Sequence, residues 1–253
     1  MAGTAQKPFF GDTPEMLWGD PQTLSGEQAV FLQCGRGSIH HKWLSNTGRN
    51  WDLIVNYYDD SYLHSPIGDI AFYQRGTKFS GVYNVAQVFP SLLSYRHILL
   101  LDDDLLFGVE ALSQLFRIAE EKDLHLFQSS LTADSYCAWP LLHHQKGERD
   151  ARPVNAVEIM MPGFSGEALK LCLSDFPRSL SGWGLDFLCG ERVSQHFDQA
   201  PQVIDSVQAR HTKVINTEDG AYYRFMRSLG IDPAKELKAI CKEFGLTPDI
   251  MAL

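Results

Sequence analysis

Apolar residues along this chain fall into two kinds of run. Short continuous stretches bounded by turn residues recur at Ala29–Gln33, Trp51–Tyr58, Ile70–Tyr73, His97–Leu101, Leu124–Gln128, Val154–Met161 and Val203–Val207. Runs of that length without strict alternation predict strands buried on both faces. Between them, apolar positions return at helical spacing over Val82–Leu93, Gly108–Lys122, Gly166–Leu173, Thr217–Leu229 and Pro233–Phe244. In the second of these, Val109, Leu112, Leu115, Phe116 and Ala119 form one inward stripe. Strands alternating with helices predict an α/β domain, here over residues 27–231. Residues 1–26 mix Gly, Pro, Asp and Gln with scattered aromatics and predict an arm lying on that domain. Residues 232–253 predict a closing helix and tail packed on it. A chain of 253 residues fits one such domain with small additions.

The run from His97 departs from this pattern. His97-Ile98-Leu99-Leu100-Leu101 leads into Asp102-Asp103-Asp104, and apolar residues resume at once with Leu105-Leu106-Phe107. Side chains alternate along a strand, so Asp102 and Asp104 are expected on one side and Asp103 on the other. Two hard oxygen ligands on one side, with a like charge between them, are costly unless a cation neutralises them. A solvated acidic turn is the other reading. The immediate return to apolar residues favours the cation.

Other stretches carry candidate chemistry beside a plainer meaning. After the first strand, Cys34-Gly35-Arg36-Gly37-Ser38 can offer backbone N–H groups and the Arg36 guanidinium to phosphate, or form an ordinary turn. Asp59 and Asp60 close the second strand, where ligands of open α/β sheets collect, and Asp59 is a candidate for contacting a base or ribose. Lys78 stands at a predicted helix start, where charge and helix dipole would suit a diphosphate. Glu158 interrupts the apolar run Val154–Met161 and is either a structural hydrogen-bond hub or a site residue. Ser181-Gly182-Trp183-Gly184-Leu185-Asp186 brackets a flat apolar ring between two glycines before an acid in a first helical turn. On these residues alone, a helix-opening acid beside a core tryptophan is the favoured reading. Arg210-His211-Thr212 closes the last strand, and an imidazole there can join two Asp side chains on one divalent ion. His143-His144, in the polar stretch Leu141–Arg152, has no spacing that supports a metal site.

Net charge narrows the partners. At −9, the chain is not expected to bind nucleic acid, although a metal ion can still carry positive charge toward a phosphate-bearing small molecule. Five scattered cysteines without CxxC spacing predict reduced thiols in a cytoplasmic protein. Neither a membrane span nor a secretory leader is expected from the hydropathy pattern.

In this order, Gly35-Arg36-Gly37-Ser38, Trp51-Asp52-Leu53, Asp102-Asp103-Asp104, Glu158-Ile159-Met160, Ser181-Gly182-Trp183-Gly184-Leu185-Asp186 and Asp205-Ser206-Val207-Gln208-Ala209-Arg210-His211-Thr212 resemble the DUF707 family, a plant and bacterial group related to GT-A nucleotide-sugar transferases. The resemblance covers about residues 28–230. It implies a GT-A-like three-layer α/β/α sandwich with a mostly parallel central sheet, and a hexosyl-type glycosyltransferase. It further implies that Asp102-x-Asp104 is a DxD motif holding Mn²⁺ or Mg²⁺ against the diphosphate of a nucleotide sugar, with His211 as a third metal contact. Asp102, Asp103, Asp104 and Trp183 would then contact the donor, together with Arg36, Gly37, Asp59 and Lys78. Asp186 would deprotonate the acceptor hydroxyl of a glycan or other alcohol. Many such enzymes carry two adjacent acids where this chain has Leu185-Asp186. A metal-dependent phosphohydrolase or nucleotidyltransferase and a non-catalytic nucleotide-sugar or glycan-binding module are the alternative readings.

Overall fold

The computed structural model describes residues 10–44, 48–147, 150–214, 218 and 220–253. Among these, ten strands form one sheet: β1 (Glu15–Trp18), β2 (Gln28–Cys34), β3 (Asp52–Tyr57), β4 (Ile70–Tyr73), β5 (His97–Leu101), β6 (Leu105–Leu106), β7 (Leu126–Leu131), β8 (Ala151–Pro153), β9 (Gly163–Ser165) and β10 (Gln202–His211). The helices are α1 (Lys78–Val88), α2 (Val109–Glu121), α3 (Gly166–Leu173), α4 (Leu185–Phe197), α5 (Ala221–Ser228) and α6 (Pro233–Phe244).

Strand order is β1-β4-β3-β2-β5-β9-β7-β10-β6, with β8 also on β10. β4, β3, β2 and β5 run parallel, β9 runs against both β5 and β7, and β10 is parallel to β7. Every residue of β2, β3 and β5 is buried, so both faces of the central sheet are covered, as their unalternating apolar sequences require. The α2 stripe lies inward, with Val109, Leu112, Leu115, Phe116 and Ala119 all buried.

Two expectations change. Val154–Met161 is not a strand. It is an irregular segment that buries Val154, Ala156, Val157, Met160 and Met161, and the adjoining strand is the short β9. Burial alone produced its apolar run: the Ile159 carbonyl bonds a lysine, and the Met160 carbonyl is shared between that lysine and the Asp102 N–H just past β5. The arm also does more than lie on the domain, because its residues 15–18 form β1, antiparallel to β4. Residues 1–9 of the arm, residues 148–149 of the polar stretch, and positions 217 and 219 at the start of the helix expected over Thr217–Leu229 lie outside the described residues.

The closing helix supports the interior of the domain. Glu236 of α6 accepts hydrogen bonds from the Leu180 N–H at 3.1 Å, the Ser181 N–H at 2.9 Å and the Ser179 hydroxyl at 3.0 Å. It thereby fixes the loop that carries Trp183. Gly182 and Gly184 follow with φ of +85° and +90°, a conformation that favours glycine and lets α4 begin at Leu185. No helix among the described residues is long and apolar enough to cross a membrane.

Candidate active site

From β2 the sheet grows one way through β3 and β4, and the chain then returns to place β5 on the other flank of β2. Strand order reverses there, and the crevice beyond the carboxyl ends of β2 and β5 is where an open α/β sheet binds ligands. β2 delivers Gly35-Arg36-Gly37 to that crevice and β5 delivers the three aspartates.

The aspartates take three different partners. Asp103 turns toward β2, where its Oδ2 accepts from the Gly35 N–H at 3.1 Å and the Tyr58 hydroxyl at 2.9 Å. Burial pushes its carboxyl up to about 6, against the opposing charge of Lys213. Asp104 faces His211. The short β6 pairs antiparallel with the end of β10, setting His211 opposite Leu105, and His211 Nε2 lies 3.5 Å from Asp104 Oδ1. Burial alone would raise Asp104, but the hydrogen bond and charge of His211 outweigh it and hold the carboxyl below its ordinary value. Burial likewise opposes a charged His211 ring, yet Asp104 takes it up to about 9.

A divalent ion fits this pair. His211 Nδ1 lies 2.5 Å from the Tyr136 carbonyl, which fixes Nδ1 as donor and turns Nε2 inward as the free ligand atom when the ring is neutral. Asp104 Oδ1 is buried without a well-formed hydrogen bond, an orphaned oxygen aimed at the same point. Imidazole and carboxylate together suit Mn²⁺ or another hard to borderline ion. Lys213 Nζ stands 3.5 Å from Asp103 and 3.7 Å from Asp104, giving the cluster a second cation.

Asp102 departs from the three-ligand expectation. Its Oδ1 is held at 2.8 Å by Lys78 Nζ, which also donates to the carbonyls of Ile159 at 2.5 Å and Met160 at 2.9 Å. An ammonium has three protons, so Lys78 keeps none for the diphosphate that its helix-start position suggested. Thr77 and Ser80 cap α1 and fix Lys78 as its first residue, which aims the side chain inward and leaves it 6% exposed. Burial raises Asp102 above the ordinary carboxylate range while Lys78 pulls it back. Among the described residues, no three His, Cys, Asp or Glu side chains form a ready cation cage. Asp104 and His211 are brought together, whereas Asp102, itself 39% exposed, is held through Oδ1 by Lys78, which leaves Oδ2 open.

Two further carboxylates lie near the cluster: Glu158 is within electrostatic range of Asp102 and His211, and Asp186 is within range of Glu158 and borders an apolar pocket with Phe79, Val157, Ile159 and Leu185. Asp186, in the first turn of α4, accepts the Phe187 N–H at 3.0 Å. Burial pushes its carboxyl up to about 7; that N–H opposes the shift and the charge of Glu158 adds to it. Glu158 is pushed up to about 7 by burial, against a hydrogen bond from Cys137. Trp183 is half-buried beside them, with its N–H on the Ser181 hydroxyl at 3.1 Å. Tyr222 of α5 donates to the Ser181 carbonyl at 2.7 Å and closes that side.

A cleft of about 220 Å³ opens on the other flank, lined by Gly35, Arg36, Gly37, His40, His64 and Ser65 among others. Arg36 is exposed and paired with Asp60 at 2.8 Å. Asp59 does not face a ligand freely: its oxygens accept from the Arg36 N–H at 2.7 Å and the Ser61 N–H at 2.9 Å, fixing the shape of the cleft. His143 and His144 lie away from the aspartates, with Nδ1 of each on a backbone carbonyl, of Thr132 and Asp205 respectively. Sequence reasoning passed over Tyr58, Cys137 and Lys213 as site residues. Tyr58 beside Asp59 at a strand end, and Lys213 two residues after His211, were the available signals.

No family model and no curated protein matches the chain. Among solved structures it is similar to GalNAc-T7 crystallised with UDP, GalNAc and Mn²⁺, at a TM-score of 0.60 and 10% identity, over 85% of this chain and 47% of that one. The chain thus spans about half the length of that protein. Two structures of S. aureus TarS also match at 10% identity: residues 1–349 with UDP-GlcNAc, at a TM-score of 0.45 over 86% of this chain and 71% of that one, and TarS itself, at 0.48 over 86% and 44%. The likeness to GalNAc-T7, with the mixed and mostly parallel sheet described above, shows the fold: the chain has a GT-A-like α/β architecture.

Proposed function

We propose that this protein is a divalent-metal-dependent glycosyltransferase of DUF707 type. It would move a sugar from a nucleoside-diphosphate sugar to an acceptor hydroxyl with inversion. The observation that carries this reading is the facing of Asp104 and His211 at the crevice where strand order reverses, with Glu158 within electrostatic range of His211 and Asp186 within range of Glu158. Asp104, His211 and Asp102 Oδ2 would hold the ion, which when bound stabilises the charge of the departing diphosphate. Asp186 takes the acceptor proton as the acceptor oxygen bonds C1 and the C1–O bond to the diphosphate breaks. A carboxyl held near neutrality suits a general base working at neutral pH, a contribution of about 10²–10⁴-fold. Trp183 offers a flat apolar face to a sugar ring. Gly35, Gly37 and the cleft beside Asp103 are positioned for the nucleoside.

The test is thermal stability of the wild type and Asp104→Ala with UDP, GDP and their hexose conjugates, each with and without Mn²⁺. Ligand at about 100 times its Kd stabilises the folded state by about 2.7 kcal/mol, a rise of about 5–10 °C in a chain of this size. A rise that needs both Mn²⁺ and Asp104, with free nucleoside diphosphate released on adding an acceptor, is the expected result. Release of sugar phosphate instead would point to phosphohydrolysis. Binding without turnover would point to a non-catalytic module, and no shift with any nucleotide would overturn the reading.

A further inference from the structure

Glu158 is the carboxylate of this crevice that the fold holds firmly and leaves poorly partnered. Its backbone is pinned: the Glu158 N–H donates at 2.7 Å to Oε1 of the fully buried Gln128, and the next two carbonyls are tied through Lys78 to Asp102. The side chain has far less. Oε2 accepts from the Cys137 thiol at 3.2 Å, a weak donor, and no protein hydrogen bond reaches Oε1 among the described residues.

The protein's buried carboxylates elsewhere show what a purely structural role looks like. Asp205 is met by Arg152 at 2.7 Å and the Gln145 N–H at 3.0 Å. Asp175 has Arg178 at 2.8 Å and Arg192 at 3.0 Å, and Asp52 has the Tyr95 and Ser25 hydroxyls at 2.8 and 3.0 Å. Each takes strong donors supplied by the chain itself. Glu158, half-buried, has a thiol and one oxygen that no protein donor reaches among the described residues, although a partly desolvated carboxylate short of partners is costly.

Its position names the missing donor. The Glu158 carboxylate lies within electrostatic range of Asp102, Lys78 and His211, and Asp186 lies within range of Glu158, while the carbonyl next to Glu158 shares Lys78 with Asp102. A donor whose diphosphate sits at Asp104 and His211, and whose C1 faces an acceptor at Asp186, would bring its sugar ring within reach of Glu158, which lies in range of His211 and Asp186 alike. Sugar hydroxyls are hydrogen-bond donors, and a carboxylate accepts two neighbouring ones readily. We propose that Glu158 accepts hydrogen bonds from hydroxyl groups of the donor sugar and so reads their pattern. The proposal rests on the glycosyltransferase reading and adds the residue that would choose among sugars.

The experiment compares binding of bare nucleoside diphosphate with binding of its sugar conjugate, by titration calorimetry in Mn²⁺ on the full chain. The probes are UDP, UDP-glucose, UDP-galactose, UDP-GlcNAc and UDP-GalNAc, with their GDP counterparts, and for the tightest donor its singly deoxygenated analogues. Wild type, Glu158→Gln and Glu158→Asp are titrated. The expected result is unchanged nucleoside-diphosphate affinity in both variants, with donor affinity lowered about 10- to 100-fold. Removing one particular sugar hydroxyl should cost the wild type a similar factor and Glu158→Gln almost nothing. If both variants keep full donor affinity, or every deoxygenated donor affects wild type and variant alike, the Glu158 assignment falls and the glycosyltransferase reading stands. Failure of the wild type to bind any nucleotide would remove both. The deoxygenated donors test the wild type even if a variant does not fold: equal affinity for all of them overturns the assignment, and loss with one hydroxyl supports it.

Discussion

A methyl group on Gly35 would lie 2.1 Å from the Tyr58 ring, because both residues reach the same oxygen of Asp103. The turn after β2, the end of β3 and the acidic end of β5 are thus locked through a single carboxylate. Gly35→Ala should swing Tyr58 aside, break its bond to Asp103 and deform the neighbouring cleft. Tyr58→Phe removes the same bond without the clash and should cost about 1–2 kcal/mol in urea unfolding. Nucleoside-diphosphate affinity should fall in Gly35→Ala and less in Tyr58→Phe. Wild-type affinity and stability in Gly35→Ala would mean that this lock does not shape the cleft.

Lys78→Met should destabilise the fold beyond any effect on binding. It leaves Asp102 without its cation, the Ile159 carbonyl without its lysine donor and the Met160 carbonyl with one donor, the Asp102 N–H, in place of two. Breaking a fully buried pair costs about 3–5 kcal/mol, and the 39% exposure of Asp102 lowers the expected loss to about 2 kcal/mol, or about 4–8 °C in Tm. Adding Asp102→Asn should recover part of that loss. A Lys78→Met protein as stable as wild type would show that the ammonium is dispensable.

Asp186 predicts two pH effects with different signs. For catalysis, the anion acts, so kcat/KM should fall below an apparent pKa near 7 and Asp186→Asn should lose turnover while binding nucleotide normally. For stability, the folded value of about 7 lies above the ordinary value of 3.8. The native state therefore binds the extra proton between those values, and this group's contribution to stability declines as pH rises through that window. Asp186→Asn should accordingly raise Tm at pH 8 relative to wild type and change it little at pH 4. The opposite ordering would mean that the carboxylate is stabilised in place.

His211→Ala should weaken Mn²⁺ binding by about 10- to 100-fold, measured by calorimetry or by the electron paramagnetic signal of free Mn²⁺. The far end of β10 should keep its Arg152–Asp205 pair, so unfolding should change far less than metal affinity. Equal Mn²⁺ affinity in wild type and variant would place the ion elsewhere.

The sequence made some of these relationships readable and hid others, for physical reasons. Val109, Leu112, Leu115, Phe116 and Ala119 are legible because one helix face meets one sheet, and periodicity records that directly. The separate direction of Asp103 was expected from strand alternation, but β5 ends at Leu101 and the aspartates lie in the turn before β6, so the bonds to Gly35 and Tyr58 set that direction. The fate of Lys78 could not be read, because its partner carbonyls lie 81 and 82 residues further along the chain. Val154–Met161 misled because a buried irregular segment and a buried strand share one apolar signature. Glu158 stood open in the sequence between hub and site residue. What separates those readings is the weakness of its protein partners, which only three-dimensional packing reveals.

β1 has a consequence beyond this crevice. It pairs Glu15 with Tyr73 and Met16 with Phe72, while Trp18 donates to the Gly68 carbonyl at 3.3 Å. Without it, β4 would present a bare row of backbone donors and acceptors, a template on which a second molecule can add a strand. A chain beginning after Gly26 would carry that adhesive margin on every copy. With β1 in place the open edge passes to a four-residue strand whose register shifts between Met16 and Trp18, a poorer template for a further strand.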